Sequence, residues 1–471
     1  MTEGFFDFFQ IFLKWVDVFF VCYLFGYSSF LFFSVIVGAS SLYQKRQQEE
    51  LKSVLNDDYF IPISIIVPAY NEEVTVVKTV ESLLTLEYTC YEIIVVDDGS
   101  TDSTSKKLIE AFHLVEVRRP IDKKIKCQPA QRVFETLGMK IPLTLVCKKN
   151  GGKADSLNMG INVAKYPYFI CMDADSVLQY DSMLKISRPI MEDDNIVAVG
   201  GVVRPANGVT LENGRLKTYK LPSNIIACMQ VLEYDRSFLA SRILMDKFNG
   251  SLIISGAFGL FKKETVIASG GYDASTMGED MELVVRLHEY CVSTNTKYSI
   301  RYASDAVCWS QVPEKLQDLC KQRKRWHIGL FQSMWAHKGM LFNVKYGAIS
   351  FISYMYFLLY ELLSPFIELL GILTIVLACS VDLIKVPFII LFFAIYAIYG
   401  STLSLTAFFS RIYTAELKIS FMDVVKAVGL CLLEIVVLRF VIVFVRMTSL
   451  IGYKNNKKEW GKIERKKIHF N

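Results

Sequence analysis

Two stretches of this chain contain no charged residue and are long enough to cross a lipid bilayer, residues 18–41 and residues 387–410. A third apolar stretch, residues 347–380, holds two glutamates with Pro365 between them. This pattern predicts one long span that is kinked at the proline. Hydrophobic residues make up 52% of the chain and charged residues 21%, which is too apolar for a soluble protein of 471 residues. The chain must therefore combine membrane helices with a soluble region.

Charged residues beside the first span predict its orientation. Glu3 and Asp7 precede the span, whereas Lys45 and Arg46 follow it. Because basic residues favour the cytosolic side of a membrane, we expect the N-terminus outside and the chain after this span in the cytosol. Residues 42–345 lack any uncharged stretch long enough to span, so we expect them to form the soluble region.

Residues 421–450 are mostly apolar but carry several charged side chains, among them Glu434 and Arg439. The tail that follows, residues 453–471, is strongly basic and should stay in the cytosol. Two crossings after the soluble region already return the chain to that side, so a third crossing would move the tail out. We therefore expect residues 421–450 to lie in the membrane plane or to re-enter it, and a true span is the alternative.

The distribution of charge and of cysteine excludes two other classes of protein. The net charge is +5, and the middle of the chain has no basic block that would indicate a nucleic-acid partner. Basic residues instead collect beside the apolar segments, where they would face anionic lipid headgroups. The 11 cysteines form neither a C-x-x-C pair nor a Cys/His cluster at zinc spacing. We therefore expect reduced thiols and no nucleic acid.

Four apolar runs in the soluble region each end in polar residues. Runs without alternation, separated by helical patterns, predict a parallel sheet that is covered on both faces. Ligands bind at the carboxyl ends of the strands in such sheets, so the polar residues should converge on one crevice. The basic segment 106–140 shows no pattern that assigns its structure. The four runs are ISIIVPAYNE (63–72), YEIIVVDDGSTD (91–102), LTLVCKKNGGKADSLNMGINVA (143–164) and YFICMDADS (168–176).

Asp173 and Asp175 follow the fourth run with one residue between them. This spacing suits a single divalent cation with oxygen ligands, Mg²⁺ or Mn²⁺, which would in turn bridge the phosphates of a substrate. Lys153 follows a flexible Asn-Gly-Gly turn and is placed to contact phosphate or nucleotide oxygens. The paired Asp97 and Asp98 can accept hydrogen bonds from a nucleobase or a ribose.

These motifs resemble the family 2 glycosyltransferases with the GT-A fold. The resemblance is to the processive, membrane-embedded branch, which includes the cellulose, mixed-linkage glucan, chitin, hyaluronan and poly-N-acetylglucosamine synthases. It rests on the motifs VPAYNEE, VVDDGSTD, NGGKADSLN, MDADS, GED and QRKRW. The first two occur across many family 2 transferases, whereas Q-x-x-R-W after an acidic pair is typical of the polymerising branch. Many relatives read T-E-D where this chain has Gly278-Glu279-Asp280, and the acidic pair is intact.

The resemblance implies a role for residues in each motif. Asp280 matches the general base of the family, with Glu279 beside it, and Arg325 would neutralise the leaving diphosphate. Asp175 is the better candidate for direct metal contact. The remaining roles are donor binding by Pro68, Tyr70, Glu72, Asp98, Lys153 and Asp173, metal binding by Asp173 and Asp175, and acceptor or polymer binding by Ser255, Gly256, Gln322 and Trp326.

Several of these assignments have an ordinary structural alternative. An acidic segment such as GED is also a common helix N-terminus, and Ser255 and Gly256 would also suit a plain strand end. Trp326 lies in a basic, aromatic stretch that would suit a membrane interface. The tail segment EWGKIERKK is similar to the W-G-x-x-x-R gating segment of hyaluronan-type synthases, which makes Trp460 and Arg465 gating candidates. A basic tail on anionic lipid is the alternative for that segment.

The function implied by the resemblance is that of a processive, inverting hexosyltransferase. It would extend a polysaccharide from a UDP-sugar, with Mg²⁺ or Mn²⁺, and pass the polymer through the membrane. We expect UDP-glucose as donor and a 1,4-linked or mixed 1,3/1,4-linked β-glucan as product. The alternatives are a poly-N-acetylglucosamine or hyaluronan-like synthase that uses UDP-GlcNAc, and a non-processive transferase to a lipid carrier. Charged residues in the apolar segments would line a hydrated path for the polymer, namely Glu361, Glu368, Glu434 and Arg439.

The expected architecture is a Rossmann-like α/β GT-A domain with a mostly parallel sheet, joined to transmembrane and interfacial helices. We expect an integral, multi-pass protein of the plasma membrane, with the catalytic domain in the cytosol. Its partners would be the UDP-sugar, the growing polysaccharide and the lipid bilayer. The expected segments are a transmembrane helix (1–45), the GT-A domain (46–316), amphipathic interfacial helices with Q-x-x-R-W (317–345), two transmembrane helices (346–410), an in-plane or re-entrant helix (411–452) and the basic tail with its gating candidates (453–471).

Overall fold

The computed structural model describes residues 2–52, 60–380 and 384–451. Within these residues the chain forms twelve β-strands, most of them short and buried. They are β1 Ile63–Ala69, β2 Tyr91–Asp97, β3 Val115–Glu116, β4 Ala130–Glu135, β5 Leu143–Lys148, β6 Tyr168–Met172, β7 Ser176–Leu178, β8 Ile196–Pro205, β9 Val209–Glu212, β10 Arg215–Tyr219, β11 Phe258–Lys262 and β12 Ser299–Ser310.

The same residues form fourteen α-helices, and four π-helical segments adjoin some of them. The π-helical segments are Asp235–Ser241, Ile349–Tyr354, Phe357–Leu362 and Glu434–Leu438. The α-helices are α1 Thr2–Lys52, α2 Val76–Leu84, α3 Thr104–Phe112, α4 Lys153–Val163, α5 Ser182–Glu192, α6 Ile225–Tyr234, α7 Arg242–Asp246, α8 Lys263–Ala268, α9 Glu279–Ser293, α10 Leu316–Ala336, α11 Ser364–Ser380, α12 Val386–Thr414, α13 Phe421–Leu433 and α14 Arg439–Ser449.

Ten strands form one sheet in the order β3-β4-β5-β2-β1-β6-β11-β8-β12-β7. Strands β5, β2, β1 and β6 are neighbours and run parallel, and they are the four strands that the apolar runs predict. Seven of the ten strands run in this direction, whereas β4, β7 and β11 run the opposite way. The predicted α/β fold with a mostly parallel sheet is confirmed.

The central strands bury side chains on both faces of the sheet. On β1, Ile65 belongs to one core cluster, which also contains Val80 of α2. The next residue, Ile66, belongs to a second cluster on the other face, which contains Leu157 of α4 and Leu287 of α9. Because successive side chains of a strand point to opposite faces, a continuous apolar run is needed to fill both layers.

The segment that the sequence left unassigned, residues 106–140, extends one edge of the sheet. It contains the end of α3 and the strands β3 and β4. Strand β4 pairs antiparallel with β5, and β3 pairs antiparallel with β4. This hairpin-like addition lies outside the four-stranded core that holds the predicted motifs.

Three helical stretches in the described residues are long and apolar enough to cross a membrane: Ile11–Gln47, Val386–Thr414 and Phe421–Ser449. A fourth candidate is the bent pair Ile349–Leu362 and Ser364–Ser380, whose axes differ by 54°. The break falls at the start of α11, where Pro365 is the second residue, and this agrees with the predicted proline kink.

The stretch Phe421–Ser449 consists of α13, a π-helical segment and α14 in unbroken succession. Its length and composition are those of a membrane span. The placement of residues 421–450 in the membrane plane stays a prediction, and the true span is the alternative that length and hydropathy favour.

Candidate active site

The carboxyl ends of four neighbouring parallel strands carry the predicted motifs to one edge of the sheet. Strand β1 ends before Tyr70, β2 before Asp98, β5 before Lys149 and β6 before Asp173. The backbone N–H of Asp98 donates to the carbonyl of Ala69 at 2.9 Å, which joins the ends of β1 and β2. The predicted crevice at this edge is therefore present in the fold.

Asp98 points inward rather than into the crevice. Its carboxylate accepts hydrogen bonds from the backbone N–H groups of Gly151 and Gly152, at 2.9 and 2.8 Å, and from the ammonium group of Lys148. The residue is 4% exposed. The predicted role of Asp98 in donor binding stays a prediction, and in the structure both carboxylate oxygens hold the glycine turn that begins α4. This turn needs glycine at residue 152, where φ is +90°.

Lys148 was not singled out by the sequence, and it supports this turn from below. It is fully buried, and its ammonium group also contacts the carboxylate of Asp155 at 2.7 Å. Asp98 is distant from Lys148 in the chain but contacts it in the fold, so only the fold could identify the trio. Its effect is to place Lys153, the first residue of α4, at the edge of the sheet.

Three other predicted donor-binding residues, Tyr70, Glu72 and Pro68, differ in exposure. Tyr70 is 46% exposed and is free to contact a ligand face. Glu72 is buried, and its carboxylate accepts a hydrogen bond from the hydroxyl of Thr75 at 2.8 Å, next to the first turn of α2. Pro68 lies within β1 and is partly exposed. Of the three, Tyr70 is the one placed for direct contact with a base.

Lys153 joins the two halves of the crevice. Its ammonium nitrogen lies 2.5 Å from Asp173 Oδ1 and 3.7 Å from Glu279 Oε1. It also donates to the carbonyl of Gly256 at 3.2 Å, while the backbone N–H of Gly256 donates to Asp280 Oδ2 at 3.1 Å. The structure thus brings together residues from four separate motifs, with the Lys153 ammonium at their centre.

Gly256 lies at the floor of this cluster. A Cβ atom at this position would lie 3.0 Å from the Lys153 nitrogen and 3.5 Å from Asp280 Oδ2. A larger side chain here would fill the space between the two charged groups. The small residue in the predicted S-G-A stretch is therefore part of the crevice and more than a plain strand end.

Crowding of carboxylates shifts the pKa values in the crevice. Burial and the negative charge of Asp173 raise the pKa of Asp175 to about 7. Burial also raises the pKa of Glu279, with Asp280 adding to the rise, whereas the charges of Lys153 and Arg325 oppose it. Burial opposes ionisation of Lys153, but Asp173 and Glu279 outweigh it and raise the pKa of that amine.

The Q-x-x-R-W residues lie on α10, which packs against α9 and α14. The positive charge of Arg325 acts on both Asp175 and Glu279. Trp326 is 41% exposed, and the guanidinium of Arg323 lies 4.4 Å from the centre of its ring. Arg323 itself is buried and pairs with Glu233 at 2.6 Å. Arg323 thus supports the indole, a role that the motif alone did not indicate.

Gln322 lies on the same helix, and its side-chain oxygen is buried with no hydrogen-bond partner in the described residues. Ser255 lies beside Gly256, and its hydroxyl accepts a long hydrogen bond of 3.4 Å from the backbone N–H of Ala257. Trp460 and Arg465, the predicted gating residues, lie outside the described residues. Their gating role stays a prediction.

Replacement of Lys148 by methionine tests the buried trio. The change leaves Asp98 and Asp155 buried without a cation, so we expect the free energy of unfolding to fall by about 3–5 kcal/mol. Denaturant unfolding of the purified protein in detergent measures this loss. Lys149→Met is the matched control, since Lys149 is exposed, and it should change stability by less than about 0.5 kcal/mol. Equal stability of the two variants would contradict the role of Lys148.

Residues 62–329 match the family described as "Glycosyltransferase like family 2". Two curated relatives are named poly-beta-1,6-N-acetyl-D-glucosamine synthase. The relative from Staphylococcus epidermidis is 30% identical over 302 residues, which is 62% of this chain and 62% of the relative. The relative from Staphylococcus aureus (strain COL) is 30% identical over 348 residues, which is 72% of this chain and 74% of the relative.

Among solved structures, the mannosyltransferase PcManGT from Pyrobaculum calidifontis, in complex with GDP-Man and Mn²⁺, is similar in fold. The TM-score is 0.51 at 16% sequence identity, over 87% of this chain and 99% of that chain. At this identity the likeness shows the shared GT-A fold alone. The family match covers more than half of the chain and includes every motif from VPAYNEE to QRKRW. The protein therefore belongs to glycosyltransferase family 2 and is a hexosyltransferase.

Proposed function

We propose that this protein polymerises N-acetylglucosamine from UDP-GlcNAc into a β-1,6-linked polysaccharide. The two relatives named above are poly-β-1,6-N-acetylglucosamine synthases, which supports the UDP-GlcNAc alternative over the expected UDP-glucose and β-glucan. The observation that carries the proposal is the single cluster of Asp173, Lys153 and Asp280. It places groups for a donor diphosphate beside a carboxylate that can receive a proton from an acceptor.

Asp173 and Asp175 would hold the divalent cation, Mg²⁺ or Mn²⁺. The described residues contain no group of three or more His, Cys, Asp or Glu side chains at metal-binding distances. This fits cations that are bound by one or two carboxylates together with substrate phosphates. The pKa of Asp175 is raised by burial and then by the charge of Asp173, and a bound cation would stabilise its ionised form. When bound, the cation neutralises charge on the leaving diphosphate.

Asp280 would act as the general base. It lies in the first turn of α9. Its Oδ1 accepts from the N–H of Met281 at 2.9 Å and its Oδ2 from Gly256, which fixes the direction of both oxygens. The acceptor hydroxyl gives its proton to Asp280 while its oxygen bonds to C1 of the donor sugar.

The bond between C1 and the UDP oxygen breaks in the same step, and its electron pair leaves on the diphosphate. Attack from the face opposite UDP inverts the configuration at C1. Lys153 and Arg325 would hold the diphosphate, since both carry a positive charge at the crevice. Trp326 offers an exposed ring face for a sugar of the growing chain.

A donor assay tests the proposed function. The purified protein with Mn²⁺ should release UDP from UDP-GlcNAc at least about 10-fold faster than from UDP-glucose, and EDTA should suppress release. A gel of the products should show long chains. Faster turnover of UDP-glucose would contradict the proposal and favour a β-glucan product. Addition of only one sugar would favour the non-processive transfer to a lipid carrier.

Asp280→Asn tests the general base. We expect kcat to fall by about 10²–10⁴-fold, because no base is left to receive the proton of the acceptor sugar's hydroxyl group, while UDP binding stays unchanged. Calorimetry with UDP and an assay of UDP release separate the two effects. Asp273→Asn is the control, since Asp273 caps a nearby surface turn through Ser275 and lies outside the crevice. Near-normal turnover in Asp280→Asn would remove Asp280 from this role.

We further propose that the polymer leaves between the membrane helices. The charged residues predicted for a hydrated path are paired within the helical bundle rather than isolated. Arg439 contacts Glu368 at 2.8 Å and Arg446 contacts Glu361 at 3.4 Å. Arg236, from the π-helical segment after α6, contacts Glu434 at 3.1 Å. Ionised groups at this depth favour a path lined by water and sugar over contact with lipid.

Aromatic side chains accompany these pairs. The guanidinium of Arg439 lies 6.0 Å from the ring centre of Tyr27 on α1 and 5.7 Å from that of Tyr396 on α12. A cavity of about 20 Å³ lies here, lined by Tyr27, Tyr396, Arg236 and Glu434 among others. It has room for about one water molecule, so the path is closed to a sugar in this conformation. Export would require the helices to separate. The cytosolic site of synthesis and the plasma membrane stay predictions.

The double variant Arg439→Gln with Glu368→Gln tests the path. The pair is neutralised together, so no lone charge is left buried. We expect UDP release in detergent to stay within about two-fold of wild type, whereas reconstituted vesicles should accumulate several-fold less polymer across the membrane. Glu416→Gln, at the exposed end of α12, is the control. Normal export by the double variant would contradict the path.

A further inference from the structure

Helices α9 and α10 carry the two parts of the proposed acceptor side, and their backbones touch at two glycines. Gly278 is the residue before α9, and Gly329 lies in the middle of α10. A Cβ atom on Gly278 would lie 2.9 Å from the Cα of Gly329, and a Cβ atom on Gly329 would lie 2.7 Å from the Cα of Gly278. Neither position can hold a side chain without moving the other helix.

The reason for glycine at residue 278 is this contact and not its backbone torsion. Its φ is −120° and its ψ is 56°, and its φ lies outside the left-handed region that favours glycine. The backbone can approach closely where no Cβ intervenes.

Gln332 continues the same contact one turn along α10. Residues three apart on a helix share a face, so Gln332 and Gly329 point to the same neighbour. The side-chain oxygen of Gln332 accepts a hydrogen bond from the backbone N–H of Met277 at 2.8 Å and from the hydroxyl of Thr276 at 3.1 Å. That hydroxyl in turn accepts from the N–H of Gly278 at 3.2 Å. Gln332 thus holds the three residues that lead into the acidic pair.

The end of α10 makes a third contact with α9. His337 lies just after the helix, and its ring nitrogens contact Glu289 at 2.6 Å and Glu282 at 3.3 Å. These contacts lie further along α9 than Asp280. The α10 segment therefore contacts both the residues that precede α9 and the body of α9, so the two helices cannot shift independently.

The contact matters because Arg325 is one helical turn before Gly329. Residues four apart lie on one face of a helix and are about 6 Å apart along it. The register in which Gly329 meets Gly278 therefore sets how far Arg325 stands from Glu279 and Asp280. A shift of about 1 Å between reacting groups can cost about 10²-fold in rate.

We propose that Gly278, Gly329 and Gln332 form a clamp between α9 and α10 that positions the Asp280 carboxylate against the groups of the Q-x-x-R-W motif. These are positioning residues, and the inference rests on the proposed role of Asp280. The clamp acts on the alignment of the acceptor with the donor. The proposed donor-side residues Tyr70 and Asp173 lie after β1 and β6, outside the clamp. Lys153 meets Glu279 of α9 and Arg325 lies on α10, so the clamp also bears on these two groups.

A pair of substitutions at residue 332 gives the main test. Gln332→Glu keeps the accepting oxygen and should keep kcat within about two-fold of wild type. Gln332→Leu removes it and should lower kcat by at least about 10-fold, whereas the dissociation constant for UDP should rise by no more than about 3-fold, because Tyr70 and Asp173 lie outside the clamp. Gly329→Ala should behave like Gln332→Leu. Gly339→Ala is the control glycine, since a Cβ atom there meets nothing within 4 Å.

Hydrogen exchange in the full-length protein supplies a readout that needs no turnover. Loss of the Gln332 oxygen frees the Met277 N–H, so a peptide that covers residues 274–283 should exchange faster in Gln332→Leu and at the wild-type rate in Gln332→Glu. Wild-type exchange and kcat in Gln332→Leu would overturn the clamp. A parallel loss of kcat and UDP binding in that variant would also overturn it, since that result indicates general disruption.

Failure of the clamp differs from failure of the proposed function. Wild-type protein that does not turn over UDP-GlcNAc contradicts the function, and the clamp is then judged by hydrogen exchange and by whichever UDP-sugar the wild type does use. A wild-type protein that polymerises normally, with a fully active Gln332→Leu variant, contradicts the clamp alone.

Discussion

The Lys153 ammonium group is the interaction on which the crevice depends. Four carboxylates, those of Asp173, Asp175, Glu279 and Asp280, lie close together at one edge of the sheet, and like charges so close cannot all ionise without compensation. Lys153 contacts two of them and lies beside the loop that orients a third. It therefore allows the proposed donor-binding and acceptor-binding residues to occupy the same small space.

The position of Lys153 is itself a product of deeper packing. Asp98 and Lys148 hold the glycine turn that begins α4, and Lys153 is the first residue of that helix. The clamp between α9 and α10 fixes the other side of the crevice. The groups to which we assign catalysis are thus carried on elements that are held by buried contacts, which is the arrangement that precise positioning requires.

Ion pairs also connect the soluble region to the helices that can cross a membrane. Arg411, near the end of α12, is 2% exposed and contacts Asp235 at 2.7 Å, and Lys45 on α1 contacts Asp305 at 2.9 Å. A buried charge with its partner removed is costly, so these pairs specify how the helices dock. The sheet edge that carries the motifs and the apolar helices therefore belong to one connected framework.

The sequence by itself determined the four parallel strands at the centre of the sheet, the order of their motifs and the apolar helices. These features depend on local patterns, because an apolar run followed by an acid is visible without knowledge of partners. Asp173, Asp175 and Lys153 were singled out in this way and the acidic pair of α9 through the family resemblance, and the fold brings Asp173, Lys153 and Glu279 together. The tertiary structure alone decided which polar group meets which. Asp98 turns inward to Lys148, Gln332 holds Met277 and Arg439 meets Glu368, because each contact joins residues that are distant in the chain and is formed only when the elements pack.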